Sequence, residues 1–143
     1  MVTQIIEKTQ LTSTDSYQLI KDEHLASVVI SAQILAGSRI LLSSYSQVVF
    51  SECSFYACEF QGVIFENCVF ENCSFEFSHI KKCKFINCNF TNCKWNVSTS
   101  TKSVYDKCVL NKEFMAVIQR GGNELVKHSH DHSTDIYIEM LVA

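Results

Sequence analysis

The chain has 143 residues, a formal net charge of −3, four glycines and no proline. This length suits a single domain. The charge is too small for a strongly basic nucleic-acid binder or for a strongly acidic mimic of nucleic acid. So few glycines, and no proline, argue against long linkers and favour one continuous stacked structure.

The first 24 residues are predicted to form an N-terminal cap. Residues 2–11 are rich in Thr and Ile and suit a strand that covers the exposed end of a stacked structure. The start lacks the basic segment and apolar core of a signal peptide. The longest uncharged apolar run, residues 25–38, is too short to span a bilayer. We therefore expect no membrane partner.

From residue 25 to residue 45 a large apolar residue recurs every five positions. This recurrence predicts that repeats start at Leu25. However, Glu23 and Gln33 stand two positions before a large residue, where a small one is wanted. An irregular pair of strands is the alternative, with the repeats then starting nearer Val48.

The same period is clearest from Val48 to Trp95, where ten consecutive units keep it without an insertion. A large residue recurs at Phe50, Phe55, Phe60, Phe65, Phe70, Phe75, Ile80, Phe85, Phe90 and Trp95. A small residue stands two positions earlier, at Val48, Cys53, Cys58, Val63, Cys68, Cys73, Ser78, Cys83, Cys88 and Cys93. A period of five matches neither a helix nor a strand, and strict short repeats are typical of a solenoid.

This pattern resembles the pentapeptide-repeat family. The resemblance implies an all-β solenoid, a right-handed four-sided β-helix with four repeats per coil, here covering residues 25–110 of a single domain. Large residues twenty positions apart then stack inside the column. The expected ladders are Phe50–Phe70–Phe90, Phe55–Phe75–Trp95, Phe65–Phe85–Tyr105 and Phe60–Ile80–Ser100, the last of which turns polar.

All eight cysteines occupy the small position of a repeat. We therefore predict buried free thiols that act as small apolar groups, rather than a disulfide framework. Two columns are expected, one with Cys53, Cys73 and Cys93 and one with Cys68, Cys88 and Cys108. Because so many reduced thiols suit a reducing compartment, we expect a cytoplasmic protein.

Outward residues show two further patterns. Asn67 and Asn72 lie twenty positions before Asn87 and Asn92, which predicts side-chain amide ladders between coils. Acidic residues dominate from 51 to 79, and lysines dominate from 81 to 107. The basic segment, beginning with Lys81, Lys82 and Lys84, is either a solvated surface or a partner contact.

Residues 111–143 are predicted to form a C-terminal cap. Asn111 suits the N-cap of a short helix that ends at Gly121–Gly122 and covers the open end of the column. A strand is predicted at residues 136–142, where apolar residues alternate. Between 96 and 103 the repeat weakens, and a loop or bulge is expected there.

One segment has residues suited to metal binding. His128, His130 and His132 would share one face of an extended strand, and imidazoles suit zinc, nickel or copper. The alternative, which we favour, is a polar loop. No nucleotide-binding, nucleophile or metalloprotease motif occurs, so neither a cofactor nor an enzymatic activity is predicted.

The candidate partner surface is a strip of outward apolar residues, Tyr56, Ala57, Phe77 and Val97. The strip is either covered by the C-terminal cap of the same chain or binds another protein or a second copy.

The family resemblance implies a non-enzymatic protein-binding module. The interpretation we favour is a bacterial immunity protein that neutralises a toxin. The alternatives are a DNA mimic that protects DNA gyrase, and a structural or effector-targeting module.

Overall fold

The structure, a computed structural model, describes residues 4–5, 17–126 and 129–130. It is a parallel β-solenoid of about 5 turns with four flat faces. Each face is a parallel sheet in which a residue pairs with the residue one coil later, as Phe70 does with Phe90. The predicted fold class is therefore confirmed.

Each face contributes one short strand to each coil from Leu19 to Asn96. Face 1 consists of Leu19–Lys21, Arg39–Leu41, Glu59–Gln61, His79–Lys81 and Thr99–Thr101. Face 2 consists of His24–Ala26, Ser44–Ser46, Ile64–Glu66, Lys84–Ile86, Val104–Asp106 and Glu124–Val126. Face 3 consists of Gln4–Ile5, Val28–Ser31, Val49–Ser51, Val69–Glu71, Asn89–Thr91, Val109–Leu110 and Ser129–His130. Face 4 consists of Ile34–Ala36, Ser54–Tyr56, Ser74–Glu76 and Lys94–Asn96.

The period of five has a simple structural cause. In Ser54–Tyr56 the central Phe55 points inward and its two neighbours point outward, as the pleat requires. The next residue, Ala57, has a positive φ of 54°, which turns the chain onto the next face. Cys58 then points inward again and is buried. Three strand residues and two corner residues thus complete one side of the coil.

Aromatic rings fill the column at the spacing of the strands. The ring centroids of Phe50 and Phe70 lie 4.7 Å apart, and those of Phe70 and Phe90 are also 4.7 Å apart. Because parallel strands are roughly 4.8 Å apart, each ring lies over the ring of the coil before it. The structure places all the large residues from Phe50 to Trp95 in one buried core.

The small inward residues also serve the backbone. Cys73 donates its thiol hydrogen to the carbonyl oxygen of Phe50 at 3.3 Å, and Ser78 donates its hydroxyl to Phe55 O at 3.1 Å. Ser78 Oγ in addition accepts the amide hydrogen of Cys58 at 3.1 Å. Serine and cysteine therefore suit the same position because both are small donors to a carbonyl that faces the interior.

The repeats begin one unit earlier than the expected boundary at Leu25. Leu19–Lys21 already pairs with Arg39–Leu41 in face 1, and Ile20 is fully buried. Glu23 did not fit the pattern because its carboxylate is large and charged. The structure buries it beside Tyr45, whose hydroxyl donates to Glu23 Oε1 at 3.0 Å.

A helix, α1 (Lys112–Gln119), covers the end of the column under faces 4 and 1. Asn111 Oδ1 accepts the amide hydrogen of Phe114 at 2.8 Å, which confirms the predicted N-cap. The Phe114 ring stacks on Trp95 with centroids 3.5 Å apart and so extends an aromatic ladder. Glu113 Oε1 accepts the amide hydrogen of Trp95 at 3.0 Å, which satisfies part of an open strand edge.

The loop or bulge expected between 96 and 103 does not form. Thr99–Thr101 keeps the register of face 1, and Ser100 points inward and is buried. Its hydroxyl lies 2.7 Å from the Tyr105 hydroxyl and 3.1 Å from Asn123 Oδ1. Polar partners from the last coil and from the cap therefore make this polar position compatible with the interior.

Candidate partner-binding surface

The four corners of the solenoid share one backbone conformation. From Leu19–Lys21 to Val104–Asp106, the residue after each strand has a positive φ, the left-handed region that glycine and asparagine tolerate best. We name two of these columns. The ridge corner joins face 4 to face 1 and contains Tyr17, Gly37, Ala57, Phe77 and Val97. The amide corner joins face 2 to face 3 and contains Ser27, Gln47, Asn67, Asn87 and Lys107.

The ridge corner contains side chains that do not suit this conformation. Phe77 has a φ of 51° and Val97 a φ of 49°. A left-handed conformation costs a residue with a Cβ atom roughly 1–2 kcal/mol, and bulky or β-branched residues are rare in it. Such strain is retained at positions where another requirement dominates, often at functional sites.

The side chains of this corner form an exposed apolar surface. Phe77 is 52% exposed and Val97 is 70% exposed. Tyr56, at the end of its face 4 strand, is 47% exposed, and its ring meets the Phe77 ring edge-on at 5.6 Å. We call the exposed side chains of Tyr17, Tyr56, Phe77 and Val97 the apolar ridge.

Tyr17 extends the ridge toward the N-terminal end. Its ring lies against Gly37, where a Cβ atom would overlap the ring, and the side chain remains 81% exposed. Tyr17 precedes Leu25, where the repeats were expected to begin, and was therefore not predicted as part of the surface. Gly37 could have indicated this contact from the sequence, because a glycine at a corner leaves room for a side chain from the preceding coil.

The described part of the C-terminal cap leaves the apolar ridge exposed. Helix α1 packs on the strands Lys94–Asn96 and Thr99–Thr101 at the end of the column. Its two buried residues, Phe114 and Ile118, point into the core rather than onto Phe77. Within residues 17–126, the side chains of the ridge therefore remain accessible.

The three candidate lysines do not share one surface. Lys81 is on face 1, Lys82 is at the corner between faces 1 and 2, and Lys84 is on face 2. Lys81 and Lys82 thus border the same face as the ridge, together with Lys102 one coil later. Arg120 adjoins this group, because it lines a shallow groove of about 120 Å³ with Ser98, Thr99 and Thr101.

The eight cysteines pack inside the column and not on its surface. All eight are free and buried. Burial raises the pKa of Cys83 to about 11, and it also raises the pKa of Cys58. The thiols of Cys58 and Cys83 are therefore protonated at neutral pH, whereas a nucleophile needs a thiolate.

The histidine candidates fall largely outside the described residues. His128 and His132 lie outside them, and for His130 only the backbone is described, as part of Ser129–His130. Among the residues that the structure does describe, no group of three or more His, Cys, Asp or Glu side chains has a metal-binding arrangement. In the same part of the chain, no helix is long and apolar enough to cross a membrane.

Comparison with known families agrees with this geometry. The family profile "Pentapeptide repeats" matches residues 53–92 in 8 copies. The solenoid therefore carries pentapeptide repeats, and the resemblance seen in the sequence is confirmed. Proteins built from such repeats are generally structural or binding modules.

Solved structures of pentapeptide-repeat proteins are similar to this chain at low sequence identity. A trypsin-treated form of QnrB1, described as a plasmid-mediated fluoroquinolone resistance protein, is 12% identical, with 100% of this chain and 95% of that chain covered and a TM-score of 0.32. Rfr23 from the cyanobacterium Cyanothece 51142 is 7% identical, with 81% of this chain and 86% of that chain covered and a TM-score of 0.32. No curated protein sequence matches the chain.

Proposed function

We propose that this protein is a non-enzymatic protein-binding module whose contact surface is the apolar ridge. The observation that carries this proposal is the placement of Phe77 and Val97, which are exposed in a backbone conformation that disfavours them. Replacement by asparagine or glycine would relieve the strain. A requirement for apolar contact at these positions accounts for side chains that folding alone disfavours.

The contact that fits best is a partner protein neutralised by binding, as in a toxin-neutralising immunity protein of a bacterial cytoplasm. A rigid column with a capped C-terminal end offers a preformed surface, which lowers the entropic cost of binding. Eight unpaired buried thiols support a reducing compartment. The gyrase-protecting alternative is less favoured, since DNA mimicry needs continuous acidity and Lys81, Lys82 and Lys102 border one face.

Affinity capture with matched variants tests the contact surface. Phe77→Asn and Val97→Asn remove the apolar side chains but suit the corner, so both variants should fold. Lys107→Asn introduces asparagine at the equivalent turn position of the amide corner, without removing an apolar side chain, and is the control. Proteins retained by the wild type and the control but lost from both ridge variants are the expected partners. Identical retention by all four proteins would contradict the proposal.

A growth experiment tests the finer assignment. The partner found by capture is expressed alone, with the wild-type chain, and with Val97→Asn. For a neutralised toxin, growth should stop in the first case, recover in the second and stop again in the third. A partner that is harmless when expressed alone would retain the binding role but exclude the toxin-neutralising one.

A further inference from the structure

Among the described residues, the C-terminal part of face 1 carries positive charges without an ion-pair partner beside the apolar ridge. Lys81, Lys82, Lys102 and Arg120 form what we call the basic patch. Residues 79–82 and 99–102, in the last two described coils of this face, and residues 119–121, at the end of α1, include no acidic residue. No described residue forms an ion pair with the basic patch, whereas Arg39, earlier on the same face, lies 3.3 Å from Glu59.

The ridge and the basic patch border opposite sides of one narrow face. Phe77 and Lys81 are four residues apart, which is at most roughly 13 Å along an extended strand. Val97 has the same relation to Thr101 and Lys102 in the next coil. The shallow groove beside Thr99 and Arg120 lies between them. A single segment of a partner that crosses face 1 therefore contacts apolar and positively charged groups together.

We propose that the partner of the ridge is a protein with an acidic surface around its apolar contact residues. Its apolar side chains would pack on Phe77 and Val97, and its carboxylates would face the basic patch. This inference rests on the proposed function and adds the chemistry of the partner. Complementary charge at the rim of a contact mainly accelerates association and excludes partners of the wrong charge.

Two other occupants fit the observations less well. A nucleic acid requires an extended basic stripe, but this patch is short and the chain has a net charge of −3. A second copy would need a matching acidic face. The glutamates of the preceding coil, Glu59, Glu66, Glu71 and Glu76, are instead distributed one to each face.

Selection from a phage-displayed library of short random peptides tests this partner chemistry. The expected peptides are rich in Asp and Glu and contain large apolar residues. The best peptide is then labelled and titrated against Lys81→Glu/Lys82→Glu and against Lys84→Glu/Lys107→Glu, two double variants with equal net charge. The first should weaken binding by roughly tenfold or more, and the second by less than about twofold.

Some results of these experiments would overturn the inference, and others would assign the basic patch to a different occupant. Selected peptides that are neutral or basic, no enriched peptide, or equal weakening by both double variants would overturn the inference. A labelled DNA duplex that binds more tightly than the peptide with the same lysine dependence would reassign the patch to nucleic acid. Self-association in sedimentation that Lys81→Glu/Lys82→Glu abolishes would reassign it to a second copy.

The failure of this inference is distinguishable from failure of the proposed function. The captured partner is titrated in parallel against Phe77→Asn and Lys81→Glu/Lys82→Glu. If only Phe77→Asn weakens binding, the ridge remains the contact surface and the acidic partner is wrong. If neither weakens binding, both proposals are wrong.

Discussion

The ridge corner and the amide corner share one backbone conformation, but their side chains differ in how well they suit it. In the amide corner, Asn87 Nδ2 donates to Asn67 Oδ1 at 2.6 Å, and Ser27 Oγ donates to Gln47 Oε1 at 3.0 Å. Asparagine also tolerates the left-handed conformation. The side chains of this corner therefore support the turn that they occupy.

In the ridge corner the same conformation is imposed on Phe77 and Val97. Their exposed side chains contribute little burial, and among the described aromatic rings the phenylalanine ring contacts only that of Tyr56. We infer from these two corners that the interior stacking and the hydrogen bonds between coils determine the backbone conformation at a corner. The exposed side chain there is free to serve another purpose, at a cost of roughly 1–2 kcal/mol.

The free energy of unfolding should change most when a large side chain is removed from the interior behind the ridge corner. Trp95 lies between Phe75, with ring centroids 4.0 Å apart, and Phe114, at 3.5 Å. Trp95→Ala should lower the free energy of unfolding by about 3–5 kcal/mol because it leaves a large cavity. Denaturation in urea measures the change.

The conservative variant Trp95→Phe is the control. The tryptophan Nε1 is buried and has no hydrogen-bond partner among the described residues, so phenylalanine removes an unpaired donor. Trp95→Phe should change stability by less than about 1 kcal/mol. A loss below about 1 kcal/mol for Trp95→Ala would show that the end of the column under the ridge is not tightly packed.

The next prediction concerns the free energy of unfolding at alkaline pH. This quantity depends on the buried thiols on the inner side of the corners. Burial raises the pKa of Cys83 to about 11 from an ordinary value of 9.0. The thiol ionises first in the unfolded chain, so its stabilising contribution is complete below pH 9.0 and declines as the pH rises toward about 11. The expected loss for this residue is about 2–3 kcal/mol over that window.

Denaturation curves across this pH range measure the loss. Cys83→Ser should reduce the slope, because serine has no ionisable group in that window. Cys88, on the inner side of the amide corner, has a pKa raised by burial and should behave like Cys83. The inner side of the ridge corner contains Cys58 and serines at 38, 78 and 98, and Ser78→Cys should steepen the slope. Stability that is independent of pH would contradict the burial of the thiols.

A smaller effect is expected when a ridge residue is moved to the amide corner. Asn87→Val places a β-branched residue at a φ of 53° and removes the amide ladder to Asn67. It should cost about 1–2 kcal/mol. Asn87→Gly keeps the conformation accessible and removes only the hydrogen bond, so it should cost less. An equal cost for both variants would show that the hydrogen bond, rather than the backbone, distinguishes the corners.

The smallest expected change is a gain in stability when asparagine replaces a residue of the ridge corner. Val97→Asn and Phe77→Asn relieve strain in the ridge corner and should each raise stability by up to about 1 kcal/mol. Thermal unfolding measures the gain. A loss of stability in either variant would mean that these side chains are retained for folding, which would remove the argument for a binding surface.

The sequence predicted most of the fold because the period of five restricts the backbone strongly. Every fifth residue must share one environment, and twenty-residue coils bring Phe65, Phe85 and Tyr105 into one stack, with adjacent centroids 4.8 and 4.9 Å apart. The pattern failed where a polar residue entered the interior. Glu23 and Ser100 interrupt the apolar period, yet Tyr45 and Asn123 supply their hydrogen bonds from elsewhere.

The candidate surface could be predicted only in part. The outward register of Tyr56, Phe77 and Val97 follows from the period, but Tyr17 joins the ridge through contact with Gly37, twenty residues away. Lys84 is close to Lys81 and Lys82 in sequence, but a corner turns it onto face 2. Neighbouring residues in a solenoid therefore separate at each corner, while residues one coil apart come together.

The period, the inward and outward registers and the small apolar role of the cysteines follow from the amino-acid sequence, since they depend on which residue types recur. Three other properties follow only from the folded chain: which corner residues bear strain, where α1 closes the column and which charges share a face with the ridge. Those properties depend on backbone turns and on contacts between coils. A linear pattern of residue types does not contain either of them.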